Sequence, residues 1–210
     1  MVKPTSRNEA DPIPAPARGS VRSSAGEETP PAILRDEIAF SWVREVAELE
    51  ALETSWRSLE HRDTTTVFQT FEWVRHWCRH YVEQPRKRFG RTRQNCLAIV
   101  VGRMAGKVVT IWPLTQKCGV RTARLEWLGV PVSQYGDALF ADEVDPVNVA
   151  CATLEFLSRH SKSDALVLTK VRECSPLTEA LVASNATCTG TDTAPFLSLQ
   201  EDGIPAHSDD

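Results

Sequence analysis

Tyr135-Gly136-Asp137 places an aromatic hydroxyl and a carboxylate one glycine apart, so both can point from one loop into a cleft. A phenol donates and accepts hydrogen bonds while a carboxylate only accepts, and together they can orient an amine or a sugar hydroxyl. The competing reading is that Asp137 bonds backbone amides in a glycine-containing turn, as Asp commonly does. Gln69, in the run Val67-Phe68-Gln69-Thr70-Phe71-Glu72-Trp73, poses the same choice. It either faces a cleft or satisfies local backbone groups.

Two further constellations invite chemistry. His76 and His80 lie four residues apart with Glu72 one turn earlier, a spacing that lets two imidazoles share a metal. The order is not the H-E-x-x-H of metalloproteases, and the same period describes the solvated face of an amphipathic helix. Arg86, Lys87, Arg88, Arg91 and Arg93 follow Arg75 and Arg79 as the dense basic patch of the chain. It reads either as a phosphate-binding segment or as a solvated linker between a helix and a strand.

A phosphate cradle of the form Gln/Arg-x-x-Gly-x-Gly/Ala works by aiming helix N-terminal amides at the anion. Arg103-Met104-Ala105-Gly106-Lys107-Val108 carries the first half, but Val108 replaces the small residue and the segment joins two strands. Gln116 to Arg121 fails at its last position in the same way. No G-x-S-x-G elbow, Walker loop or G-x-G-x-x-G is present, which leaves serine hydrolase, P-loop and dinucleotide readings without support.

The elements that must position these residues follow from hydrophobic period. Ile38 to Val43 reads as a strand, and Val46, Leu49, Leu52, Trp56 and Leu59 recur at the spacing of one amphipathic helix. Thr70 caps a second helix over 71–82, with Glu72 near its positive end and Pro85 as its stop. Cys96 to Val101 is an apolar run suited to a strand covered on both faces. A turn over 102–107 and a return strand from Val108 to Leu114 complete a hairpin.

Arg124 to Leu128 makes the next strand, and Gly129 to Asp137 is a loop long enough to carry function. A helix over Pro146 to His160, a strand at Ala165 to Leu168 and a helix opened by Ser175-Pro176 come next. Thr187 to Thr189 and Phe196 to Leu199 are candidate closing strands. The resulting order, β-α-α-β-β-β-α-β-α-β-β, predicts a mixed sheet with helices packed on it, an α/β (α+β) class.

Residues 1–34 are rich in Pro, Ala, Ser, Arg and Glu and read as a disordered tail. Residues 35–199 form the ordered lobe, and 200–210 an acidic flexible tail. That tail has four acids and no Lys or Arg, which accounts for the whole formal charge of −4. The near-neutral remainder argues against nucleic acid or anionic membrane held by bulk charge. With no apolar run of bilayer length and no signal-peptide core, the expectation is a cytoplasmic chain. Six cysteines without C-x-x-C spacing read as reduced, mostly inert thiols.

Taken in order, Trp56, Phe68-Gln69-Thr70, Trp73, Ile111-Trp112-Pro113-Leu114, Leu128-Gly129 and Ser133-Gln134-Tyr135-Gly136-Asp137 resemble the first lobe of GNAT-like acyltransferases. The type is that of the cellulose-biosynthesis CelD proteins, relatives of the FemAB peptidyltransferases. The resemblance covers about 36–199 and implies a GNAT-like mixed sheet flanked by helices. It also implies a substrate site formed by Gln69, Trp73, Gln134, Tyr135 and Asp137 for a small-molecule amine or sugar-type acceptor. Gln134 stands where the family often has an acid, which weakens any charge-based role there.

In the resembling proteins acyl transfer depends on a second lobe that begins where Ala194 to Leu199 stand here. The resemblance therefore implies a first lobe without a cofactor site of its own. Acetyl-CoA or another acyl-CoA enters only with a partner lobe, or the exposed docking face promotes self-association. The alternative expectation is a non-catalytic binding or interaction module.

Overall fold

The computed structural model describes residues 38–61, 65–82, 95–119 and 122–193, with the backbone of 86–88 and 91–93. The tails at 1–34 and 200–210 and the candidate strand at Phe196 to Leu199 lie outside the described residues.

The centre of the fold is one long hairpin. Its first arm is β4 (Asn95–Leu97) running into β5 (Ile99–Met104), and its second is β6 (Lys107–Trp112) running into β7 (Leu114–Cys118). Ala105 (φ 49°) and Gly106 (φ 81°) make the turn in the left-handed region, which Gly106 reaches at no steric cost. Pro113 lacks an N–H and interrupts the second arm, but the Ala98 amide still donates to the Leu114 carbonyl at 3.1 Å. The two arms thereby belong to two four-stranded sheets.

One sheet has the order β1-β5-β6-β9, with β1 at Ile38–Val43 and β9 at Leu139–Phe140, all antiparallel. The other has the order β10-β8-β7-β4, with β8 at Ala123–Trp127 and β10 at Ala165–Val167. In it β10 lies parallel to β8 and the other pairs are antiparallel. Cross-strand partners share a face of the sheet. Phe40 and Trp42 present one face to Phe156 of α4 (Pro146–His160), with ring centroids at 5.0 and 5.6 Å. Val101 and Ile111 on the opposite face are fully buried, so this sheet is covered on both sides.

The first predicted helix is two. It breaks at Leu52 into α1 (Val46–Ala51) and α2 (Glu53–Leu59), where the Leu52 amide turns back to Leu49 and its buried side chain enters the core. Nothing in the apolar spacing marks that break, because Leu49, Leu52 and Trp56 keep a helical period across it. Residues Val67–Gln69 form a short 3-10 turn, and α3 (Phe71–Tyr81) follows with Thr70 accepting from the Trp73 amide. Helix α4 has the predicted bounds, and Ser175-Pro176 opens α5 (Pro176–Ala183) as expected.

Two further expectations fail. Thr187 to Thr189 is irregular and exposed rather than a strand, since nothing buries one face of that short polar run. The basic stretch is not a plain linker: β2 (Arg86–Arg88) and β3 (Arg91–Arg93) pair as a separate two-stranded sheet. Charged side chains carry no hydrophobic alternation to announce such strands. No described helix is long and apolar enough to cross a membrane. No disulfide joins any of the six cysteines.

Candidate functional site

Because β8 and β10 are parallel, with Val167 beside Glu126, the segments that follow the two strands emerge at the same end of the sheet. Between β8 and β9 the chain leaves one sheet at Leu128, whose amide still donates to the Pro113 carbonyl at 2.8 Å, and enters the other at Leu139. This excursion holds the expected loop, including a cis Val130-Pro131 peptide. It is fastened on both sides.

On the side of residues 168–175, the Lys170 ammonium donates to the Ser133 carbonyl at 2.9 Å and the Gly136 amide to the Lys170 carbonyl at 3.3 Å. Asp137 is 5% exposed and accepts from the Ser175 hydroxyl at 2.8 Å and from the Ala138 amide at 2.9 Å. Its second oxygen lies 3.7 Å from the Arg172 guanidinium. Ser175 meanwhile accepts from the Leu177 amide at 3.1 Å, so one hydroxyl caps α5 and holds the loop. On the α3 side the Trp73 indole donates to the Ser133 hydroxyl at 3.2 Å.

The expected residues divide into two groups. Gln69 and Asp137 line a small cavity of about 30 Å³ with Thr65, Arg172 and Ser175, space for about one water. Gln69 accepts from the Thr66 amide at 2.7 Å and the Thr66 hydroxyl at 2.8 Å, while its own carbonyl accepts from the Trp56 indole at 2.8 Å. Gln69 therefore engages its own turn, while Asp137 joins the Ala138 amide to Ser175 and Arg172. Trp73 and Tyr135 instead flank Phe68 as a half-buried aromatic cluster, with centroids 5.1 and 6.4 Å from it. Gln134 is exposed beside them, as are Val67 and Val132.

Burial pushes the Asp137 carboxyl above its ordinary value of 3.8, against the opposing pull of Ser175, the Ala138 amide and Arg172. The folded chain then holds this proton more firmly than the unfolded chain does. Stability from this group is therefore largest at acid pH and falls as pH rises from 3.8 through the raised folded value. Against Asp137→Asn, the wild type should lose ground steadily over this window in urea unfolding, then run parallel above it. A difference that stays constant over about pH 4 to 7 contradicts the assignment.

Sequence reasoning missed Lys170 and Arg172 and saw Ser175 only as a helix cap. The signal was topological: it needs the parallel pairing of β8 with β10. The histidine helix resolves more simply. Glu72 is paired with Arg57, which lowers its pKa, His76 and His80 are exposed, and no described group of three His, Cys, Asp or Glu could hold a metal.

The N-terminus of α4 does not make a phosphate cradle. At α4 the Asp145 carboxylate takes the Val147 amide at 3.0 Å, Pro146 has no N–H, and Asp142 and Glu143 precede it. These residues do not fit the pyrophosphate of an acyl-CoA, since a carboxylate already occupies the amide and repels a second anion. Comparison with protein-family models, with curated proteins and with solved structures finds no match.

Proposed function

We propose that this chain is the acceptor-binding lobe of a GNAT-type N-acyltransferase resembling the CelD proteins of cellulose or exopolysaccharide production. The acceptor, an amino sugar or related small amine, lies against Phe68, Trp73 and Tyr135. One observation carries this reading: residues far apart in sequence gather at the shared end of β8 and β10, on a loop fixed from two sides. A site at the carboxyl ends of parallel strands is where open sheets commonly bind ligands.

An acyl-CoA held by a partner lobe would supply the activated acyl group that the acceptor amine takes. This lobe supplies position, which turns the meeting of two reactants into a step within one complex. Aromatic faces bind the apolar face of a sugar ring, and Tyr135 and Gln134 offer hydrogen bonds at its edge. Asp137 and Gln69 hold the loop rather than the acceptor. No acyl-CoA step is assigned to these residues, because the α4 terminus does not fit that group.

The carboxylate-capped α4 terminus also favours a second reading, a binding module that is catalytically silent by itself. Calorimetry with glucosamine oligomers and with acetyl-CoA tests both. The expected result is saturable oligomer binding, weakened about tenfold by Trp73→Ala. Absence of binding, or affinity unchanged by both Trp73→Ala and Tyr135→Ala, overturns the acceptor site. Acetylated oligomer formed by this chain together with an acyl-CoA-binding lobe, but not by either alone, separates the acceptor lobe from the silent module.

A further inference from the structure

Helices α4 and α5 pack together and leave a groove of about 560 Å³, open to solvent, beside their first turns. Its lining is largely apolar. Pro146 and Val147 open α4, Pro176 opens α5, and Val182 stands farther along α5 with 73% of its surface exposed. Leu177 and Ala180 are fully buried, so α5 already has its core face and Val182 adds nothing to it. Apolar side chains scattered singly over a surface need no explanation, but these are contiguous and rimmed by charge.

The charge on the rim has one sign. Glu173 and Glu179 line the groove, both are exposed, and neither has an ion-pair partner among the described residues. Glu179 and Val182 are three apart on α5, which puts charge and apolar surface on one face of the helix. Arg172, the cation next to Glu173 in sequence, lies against Asp137 instead. The two helix N-termini oppose the carboxylates with only about half a positive charge each. Asp145 already sits on the first of these ends and Ser175 caps the second. The glutamates therefore set the sign of the groove.

We infer that the α4–α5 groove docks a partner segment of mixed cationic and apolar composition, its apolar side chains against Val147 and Val182 and its Arg or Lys against Glu173 and Glu179. Complementary charge selects this partner over an acidic one. Sites for small molecules bury most of the ligand, which an open groove does not do, whereas a segment of chain laid along it needs only one face covered. The inference does not rest on the acceptor reading. The groove shares only Ser175 with the fastenings of the loop, so a failure here leaves that reading as it stands.

The full chain is titrated by calorimetry with a short peptide of alternating arginine and leucine, then with the same peptide carrying glutamate for arginine or serine for leucine. The arginine-leucine peptide should bind saturably and more than about tenfold tighter than either control. Glu179→Gln should weaken it about fivefold, as loss of one exposed ion pair does at most, and Val182→Ser by about the same factor. Glu155→Gln, at an exposed acid elsewhere on α4, should change it less than about twofold. In the unaltered chain, alkylation of the exposed Cys174, which lines the groove, should slow when the peptide is bound, while that of the exposed Cys188 should not. The inference is overturned by no saturable binding or by the glutamate peptide binding as tightly. Affinity unchanged by both Glu179→Gln and Val182→Ser also overturns it, and puts the peptide on the acidic residues of 201–210. Self-association of the chain that Val182→Ser abolishes, without peptide binding, overturns it in favour of a second copy.

Discussion

Replacing Trp56 by alanine is expected to lower stability by about 4 kcal/mol, within the range for removing a fully buried large aromatic. The side chain is 0% exposed and meets Phe71 edge-on, with centroids 6.1 Å apart at 65°. Its indole also donates to the Gln69 carbonyl, joining α2 to the 3-10 turn that carries Phe68. Trp56→Phe keeps most of the packing and leaves that carbonyl without its donor, for an expected loss of about 1–3 kcal/mol. Urea unfolding followed by circular dichroism measures both. If Trp56→Ala loses less than about 2 kcal/mol, the core around the site is not built as described.

Gly136→Ala tests the loop itself. A Cβ there would lie 2.1 Å from Cδ1, 2.4 Å from Nε1 and 2.6 Å from Cγ of Trp127. That ring is 1% exposed and packs on Trp112 at 5.9 Å, so it has no room to withdraw. The loop must move instead, which strains the Gly136 to Lys170 bond and the neighbouring Asp137 contacts. Overpacking of this kind costs about 1–3 kcal/mol, and we expect the upper end. Binding of glucosamine oligomers should fall by more than about tenfold, since Tyr135 is displaced with its neighbour. Gly106→Ala is the control: its Cβ would meet nothing within 4 Å, and its cost comes only from the positive φ of 81°. That variant should keep its affinity.

Much of this fold is legible in the sequence because local signals agree with the tertiary ones. Thr70, Asp145-Pro146 and Ser175-Pro176 mark helix starts by caps that form in the structure. The Ala105-Gly106 turn announces the central hairpin. What escapes has no local signature. Leu52 breaks a helix without glycine or proline, and β9 is two residues long and exists because the chain rejoins β6. The basic ribbon hides its strands in a charge run that has no hydrophobic alternation.

The candidate site divides along the same line. Phe68, Trp73 and Tyr135 are visible as an aromatic-rich pattern, and they do meet. Lys170, Arg172 and Ser175 are remote in sequence and reach the loop only through the parallel β8–β10 pair. Asp137 and Gln69 show the limit of reading polar residues in isolation. Each is buried and engaged by nearby amides, so its type alone does not distinguish a ligand contact from a structural one.

The indole N–H signals of the six tryptophans give the most direct test of the central claim, that the aromatic cluster on the fastened loop binds the acceptor. In a titration of the full chain with glucosamine oligomers, the Trp73 signal should move saturably, because its N–H bonds Ser133 on that loop. The signals of Trp56, Trp112 and Trp127, each no more than 1% exposed, should stay in place. A Trp73 signal that does not move, while oligomer binding is seen by calorimetry, contradicts the account and puts the acceptor elsewhere on the chain.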